Sequence, residues 1–264
     1  MSSEEEERKS AARTRRLEDV LPGEMVEGAE GSCYIVRHYL EDFWPGCEDF
    51  LSQYKYYFAL GGARISPEEL PEEMRSFLNA DSQKVIYLDI ETGGGSEVKI
   101  FLIGLMHFAD GRFEIKQVFA RDLLEERTAL IQTQDLINSF EVLVTYNGRV
   151  FDIPFLAERA RTYGIPFKLT PVHLDLLHQA RRCWRGLVPD LRLSTLQVLL
   201  SGSKLREPLG KEEISHIYDD FVEKKALQRL PEVFGHNAFD LIAMAQIALS
   251  LIRGDKHPHQ VLEA

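Results

Sequence analysis

Lys84–Thr92 reads KVIYLDIET. Val85, Ile86, Tyr87, Leu88 and Ile90 are β-branched, aromatic or aliphatic, a composition that predicts a strand. Alternation along that strand puts Asp89 and Glu91 on one face, with Ile86, Leu88 and Ile90 on the other. Two acids at the carboxyl end of an otherwise apolar strand are an anomaly, because ligand sites in such sheets gather near strand carboxyl ends. A plainer reading stands beside it: a strand end that reaches solvent before a glycine turn.

Downstream, Gly93–Ser96 reads as a turn and Lys99–Phe108 (KIFLIGLMHF) as the returning strand. Asp110-Gly111 is a hairpin signal, and Arg112–Phe119 follows as a third strand. The pattern then predicts a helix over Asp122–Phe140, a buried strand at Glu141–Tyr146, a helix over Phe151–Tyr163 and a strand near Val172–Leu176. Further helices are predicted at about Ser194–Leu200, Lys211–Leu227 and Val233–Ile252. Five strands, three in a meander and two alternating with helices, imply an α/β fold: a mixed sheet with helices on its faces. This domain is expected to span 83–254.

Upstream, residues 17–82 read as a small accessory β element packed on that domain. Its aromatic-rich segments Cys33–Leu40 and Tyr54–Leu60 are predicted as short strands, separated by a turn at Trp44-Pro45-Gly46. Gly61-Gly62 and the Pro/Glu-rich stretch Ser66–Glu73 read as a connection. Residues 1–16 combine four glutamates with five basic residues and almost nothing apolar, so they are expected to be a flexible tail. A short C-terminal tail is expected over 255–264.

Two more buried segments carry acids. In Thr145–Leu156 (TYNGRVFDIPFL), Asn147 ends a strand and Asp152 opens a helix, where an aspartate can also serve simply as a cap. In Gly235–Gly254 (GHNAFDLIAMAQIALSLIRG), the helix past Asp240 is apolar almost all round, the mark of a core element. His236 and Asp240 are four apart and share one face, and a buried His–Asp hydrogen bond is the plainer alternative. A carboxylate on a buried helix costs several kcal/mol unless it is paired or metal-bound. If Asp89, Glu91, Asp152 and Asp240 converge, their repulsion requires cations. Two hard divalent ions, Mg²⁺ or Mn²⁺, suit an all-carboxylate set and phosphate oxygens, the arrangement of a two-metal phosphodiester site.

The order DIET, NGRVFD, HNAFD resembles the three motifs of the DEDD (DnaQ-like) 3′→5′ exonucleases, which have a ribonuclease H-like fold. TYNGRVFDIPFL, HLDLLHQARRCWR and LSTLQVLLSG are similar to YprB-type ribonuclease H-like domains of bacteria. The resemblance covers roughly residues 17–254. It implies Asp89, Glu91, Asp152 and Asp240 as metal ligands, His236 as general base, and Asn147 as the asparagine of the second motif. The family's tyrosine subtype places its base four residues before the last aspartate and its histidine subtype usually five; this chain has a histidine at the four-residue spacing.

The 264 residues are 44% hydrophobic and 28% charged, which excludes a wholly disordered or collagen-like chain. A net charge of −11 argues at first against a polyanionic partner. From Glu141 to Arg206, however, the balance is +5, leaving −16 for the remainder, so nucleic acid is not excluded. Arg149, Arg181, Arg182 and Trp184 in that window suit phosphates and a stacked base, and Thr92 and Asn147 complete the expected substrate contacts. A solvated helix face is the alternative for the arginines. His173, Asp175 and His178 are read as structural, with Asp175 a possible outer carboxylate of the metal cluster. Three widely spaced cysteines suggest a reducing, cytoplasmic location, and no uninterrupted apolar run reaches the roughly 18 residues of a membrane span. The expected function is therefore metal-dependent 3′→5′ hydrolysis of DNA or RNA ends, with single-stranded 3′ ends as partner and no membrane. The alternatives are a nuclease-derived module that binds without cutting, and an endonuclease on the same fold.

Overall fold

The structure, a computed structural model, describes residues 16–28, 31–60, 70–93, 98–201 and 209–255. The two expected tails, apart from Arg16 and Asp255, lie outside the described residues. So do positions 94–96 of the predicted turn and 61–69 of the predicted connection.

One mixed sheet organises the chain. Its strands are β1 (Glu24–Gly28), β2 (Gly31–Tyr39), β3 (Val85–Gly93), β4 (Lys99–Ala109), β5 (Arg112–Phe119), β6 (Val142–Thr145) and β7 (Val172–Asp175), in the order β1-β2-β5-β4-β3-β6-β7. β3–β6 and β6–β7 are parallel, and the other pairs are antiparallel. Among the described residues the sheet has seven strands, where the sequence predicts five. The reason is the register Tyr34↔Phe119 through Tyr39↔Glu114, which zips β2 onto β5 and brings β1 with it. The N-terminal strands thus prolong the sheet. At the hairpin between β4 and β5, Asp110 and Gly111 have φ of 52° and 86°, as a tight two-residue turn of this hand requires.

The helices are α1 (Leu17–Val20), α2 (Leu40–Phe43), α3 (Glu48–Leu60), α4 (Glu72–Asn79), α5 (Leu123–Ile137), α6 (Asp152–Thr162), α7 (Leu176–Trp184), α8 (Leu193–Ser201), α9 (Lys211–Lys224) and α10 (Leu230–Arg253). The aromatic stretch predicted as a strand at Tyr54–Leu60 is the second half of α3. Phe50, Tyr54 and Phe58 are its buried residues, a four-residue spacing that belongs to a helix. Those rings pack under the sheet, and the Tyr54 and Tyr87 hydroxyls meet at 2.9 Å. Aromatic β-propensity misleads here because helical period and burial decide the outcome. α7 occupies the arginine-rich stretch, where the sequence reading places no separate helix.

The two faces of β3 bury different cores. Tyr87 joins a cluster with α3, α7, α8 and α10, whereas Ile86 and Leu88 join one with α5 and α6. Asp89 and Glu91 follow Tyr87 and so face α10. α10 is buried all round from Leu241 to Ile252. It is long and apolar enough to cross a membrane, and 83% of its apolar window is buried inside the protein, so its apolarity is accounted for by the core.

Candidate active site

Asp89, Glu91, Asp152, His236 and Asp240 line one pocket of about 770 Å³. Each arrives by a local device. β3 delivers Asp89 and Glu91, and its pairing with β4 shifts register between Glu91 and Thr92, which loosens the ladder where the acids end. α10 delivers His236 and Asp240 one turn apart. Asp152 comes from the end of a turn between β6 and α6.

Asn147 has φ 63°, a left-handed conformation that asparagine tolerates better than most residues. The adjacent Gly148 is needed for space, since a Cβ there would lie 2.3 Å from Thr145 Oγ1. Asp175, at the end of β7, clamps this turn. Its carboxylate accepts the Asn147 amide at 2.8 Å, the Arg149 amide at 3.1 Å and the Leu177 amide at 3.1 Å. Asp175 is thus the structural residue the sequence suggests, fully engaged by backbone N–H groups and absent from the pocket wall. The clamp fixes the start of α6 and with it Asp152.

The electrostatics of the pocket are those of crowded acids. Burial pushes the Asp89 carboxyl well above its ordinary range, and Glu91, Asp240 and Asp152 add repulsion, while a hydrogen bond from Asn237 opposes the shift. Glu91 is raised by burial, then by Asp240 and Asp152, with Lys211 acting against them. Asp240 is pushed up to about 7 by burial and Asp152. Asp152 is pushed up to about 6 by burial, and hydrogen bonds from its own amide and the Ile90 amide act the other way. His236 Nε2 stands 3.9 Å from Glu91 Oε1 and 3.7 Å from Asp240 Oδ2. An all-oxygen, all-anionic donor set of this kind fits a hard divalent cation, which would relieve the repulsion. Among the described residues, no three Asp, Glu, His or Cys side chains close into a ready-made metal cage; the four acids line a shared pocket.

The expected substrate contacts divide. Thr92, Asn147 and Arg181 line the pocket. Arg149 does not; its guanidinium donates to the His173 carbonyl at 2.9 Å and pairs with Glu73 at 3.5 Å. Arg182 is exposed outside the pocket wall. Trp184 corrects the sequence reading outright. It is fully buried, and its indole N–H donates to the Asp255 carbonyl at 3.0 Å, so no base can stack on it. Leu177, Ala180 and Trp184 repeat at helical spacing on the buried face of α7, a signal already present in the sequence. Lys211 and Arg192 line the pocket and were not anticipated. Lys211 opens α9, outside the basic window, and its ammonium lies 4.7 Å from the Phe151 ring centroid.

Residues 86–252 match the family described as the RNase_H superfamily. An uncharacterized protein of Bacillus subtilis (strain 168), YprB, is 26% identical over 178 residues, which are 65% of this chain and 42% of that protein. DNA polymerase 1 of Aeropyrum pernix is 30% identical over 130 residues, 47% of this chain and 13% of the polymerase. Among solved structures, the fold is similar to that of the family B DNA polymerase from the hyperthermophilic archaeon Pyrobaculum calidifontis. That likeness has a TM-score of 0.51 and 18% identity, over 68% of this chain and 27% of the polymerase. The chain therefore spans less than half the length of each of these relatives.

Proposed function

Because the chain belongs to the RNase_H superfamily, we propose that it is a nuclease, and specifically a metal-dependent 3′→5′ exonuclease on single-stranded ends of DNA or RNA. The observation that carries this reading is the convergence of Asp89, Glu91, Asp152 and Asp240, from three distant segments, on one pocket. Burial raises all four carboxyls, and repulsion among the acids adds to it for Asp89, Glu91 and Asp240; divalent cations would supply the balancing positive charge. A relative that is a DNA polymerase supports nucleic acid as the partner.

These four carboxylates are the residues that would hold Mg²⁺ or Mn²⁺, as one ion or two. When bound, such ions supply charge neutralisation and Lewis acidity toward phosphate oxygen. The protein's own groups do the rest. Lys211 and Arg181 bring positive charge to the acidic pocket and bind the phosphates of the strand, whereas Arg192, also in its wall, is paired with Asp190 at 2.6 Å. Thr92 and Asn147 contact the terminal nucleotide. His236 Nε2 takes the proton of the attacking water, whose oxygen bonds to phosphorus as the bond to the 3′ oxygen of the preceding nucleotide breaks, and that 3′ oxygen takes up a proton from solvent. The products are a mononucleotide and a strand one residue shorter.

A second reading, a module that binds strands without cutting, is favoured by the position of His236 between Glu91 and Asp240. Protonated, it would offset part of their charge without any metal. The test uses 5′- and 3′-labelled single strands and a circular strand, with Mg²⁺ or Mn²⁺. Stepwise loss from the 3′ end, no cutting of the circle, and inactivity of Asp89→Asn and Asp240→Asn are expected. Strand binding in EDTA with no cleavage in either metal would replace the exonuclease by the binding module, and nicking of the circle would replace it by an endonuclease.

A further inference from the structure

Asp89, Gly104 and Gln117 stand side by side across β3, β4 and β5, since Asp89 pairs with Gly104 and Gly104 with Gln117. Directly opposed residues project from the same face of a sheet, so Gly104 leaves a gap between two polar side chains. Asn237 of α10 fills that gap. A Cβ on Gly104 would lie only 2.0 Å from Asn237 Oδ1, so the close approach demands glycine here.

Inside the gap, Gln117 Nε2 donates to Asn237 Oδ1 at 2.9 Å and to the Phe234 carbonyl at 2.8 Å. Asn237 Nδ2 donates in turn to Asp89 Oδ2 at 2.8 Å and to the Asp89 carbonyl at 3.3 Å. Both amides are fully buried, so their partners must lie inside the protein. The oxygen and N–H₂ of Asn237 and the N–H₂ of Gln117 find them, and Gln117 Oε1 does not among the described residues. The donor from Gln117 dictates which way the Asn237 amide turns, because only its oxygen can accept. Its N–H₂ is thereby aimed at the carboxylate. Asn237 itself is not part of the pocket wall, so it acts on the site through Asp89.

We propose that Asn237, seated on Gly104 and oriented by Gln117, is a positioning residue that holds the Asp89 carboxylate in the orientation with which it meets a divalent cation. This inference rests on the metal-dependent reading of the site. Groups that orient a ligating side chain from behind are worth roughly 10- to 100-fold in metal affinity.

The experiment is Mn²⁺ binding to the full chain by titration calorimetry, at a temperature where every variant is folded, with melting temperatures recorded alongside. Asn237→Ala and Gly104→Ala are each expected to weaken Mn²⁺ binding by roughly 10- to 100-fold. The double variant should bind no more weakly than Asn237→Ala, since the added methyl then has no amide to displace. Gln117→Met, which keeps the volume but loses the donor, should weaken binding by a smaller factor. A role in packing alone would lower melting temperatures and leave Mn²⁺ affinity unmoved. Wild-type affinity in Asn237→Ala and Gly104→Ala, with affinity lost in Asp89→Asn, would overturn the positioning role and leave the functional reading standing. Wild-type affinity in Asp89→Asn would overturn the functional reading and this inference with it. Fully additive losses in the double variant would also overturn the role, because Gly104 would then act apart from Asn237. If Asn237→Ala does not fold, Gly104→Ala and Gln117→Met carry the same test.

Discussion

Trp184 lies in a run of arginines, ARRCWR, where a ring for base stacking is a natural expectation. Helical period decides otherwise: Trp184 falls on the face of Leu177 and Ala180, and Arg181, Arg182 and Arg185 are exposed. Its body is core and its N–H is satisfied by the Asp255 carbonyl. Trp184→Ala is expected to cost about 3–5 kcal/mol by emptying a large buried volume. Urea unfolding checks this, and strand affinity measured well below the transition should stay within about twofold of wild type by the same argument. Arg181 is exposed yet lines the pocket. Arg181→Ala should weaken strand binding across sequences and reduce the slope of log K against log salt by about 1, readable by fluorescence anisotropy over a salt series. A wild-type slope would remove Arg181 from the phosphate contacts. The helical face of Trp184 was present in the sequence though read otherwise, and Arg181 was expected there as a phosphate contact. That Arg181 and not Arg182 lines the pocket was not legible, because it depends on what α7 packs against.

α5 and α6 are joined to the sheet by one buried charged cluster. Asp122 caps α5 by accepting the Leu124 and Glu125 amides at 2.9 and 3.2 Å, which sets the phase of the first turn. Glu126 is thereby turned inward, 1% exposed, and accepts the Ile100 amide of β4 at 2.9 Å. Arg159 of α6 meets it with two hydrogen bonds of 2.8 and 2.6 Å, and the Tyr163 hydroxyl adds a third at 2.7 Å. α6 begins at Asp152, so this pair helps fix the helix that delivers a site carboxylate. Removing one partner leaves an uncompensated buried charge, and Arg159→Met is expected to cost about 3–5 kcal/mol. Glu126→Gln/Arg159→Met should recover part of that loss, because the neutral amide still accepts the Ile100 N–H. Chemical denaturation of both variants distinguishes the cases, and an equal loss in the two would refute the charge argument. For α5 and α6, helix type and approximate ends were readable from period, caps and turn residues. The inward turn of Glu126 was not, since an acid in a helix's first turn ordinarily faces water.

For the whole molecule, the acidic pocket makes stability depend on pH and on cations together. Unfolded aspartates release their protons near pH 4, whereas Asp152 and Asp240 keep theirs to about 6 and 7. Asp89 and Glu91 shift in the same direction. Between those limits the folded chain binds more protons than the unfolded one, so this contribution to stability is full below about pH 4 and is lost as pH rises through 7. In EDTA, Asp240→Asn should therefore melt above wild type at pH 8, with the gap closing toward pH 5. Mn²⁺ should raise the wild-type melting temperature more at pH 8 than at pH 5. Differential scanning fluorimetry over that range decides it; a gap independent of pH would mean that the acids are not crowded as described.

Local chemistry determined what local chemistry can. The alternation in KVIYLDIET put Asp89 and Glu91 on one face, the Asp110-Gly111 pair announced a hairpin, and an apolar run past Asp240 announced a buried helix. These signals reside in neighbours along the chain, so they survive without knowledge of the fold. Only the tertiary structure decided that β1 and β2 prolong the sheet, that Lys211 joins the acids, and that Asn237 sits on Gly104 against Asp89. Such contacts arise between groups far apart along the chain, from Tyr39 on Glu114 to Asn237 on Asp89. Their selection depends on which faces are left to bury once the sheet has formed, a condition that no local period records.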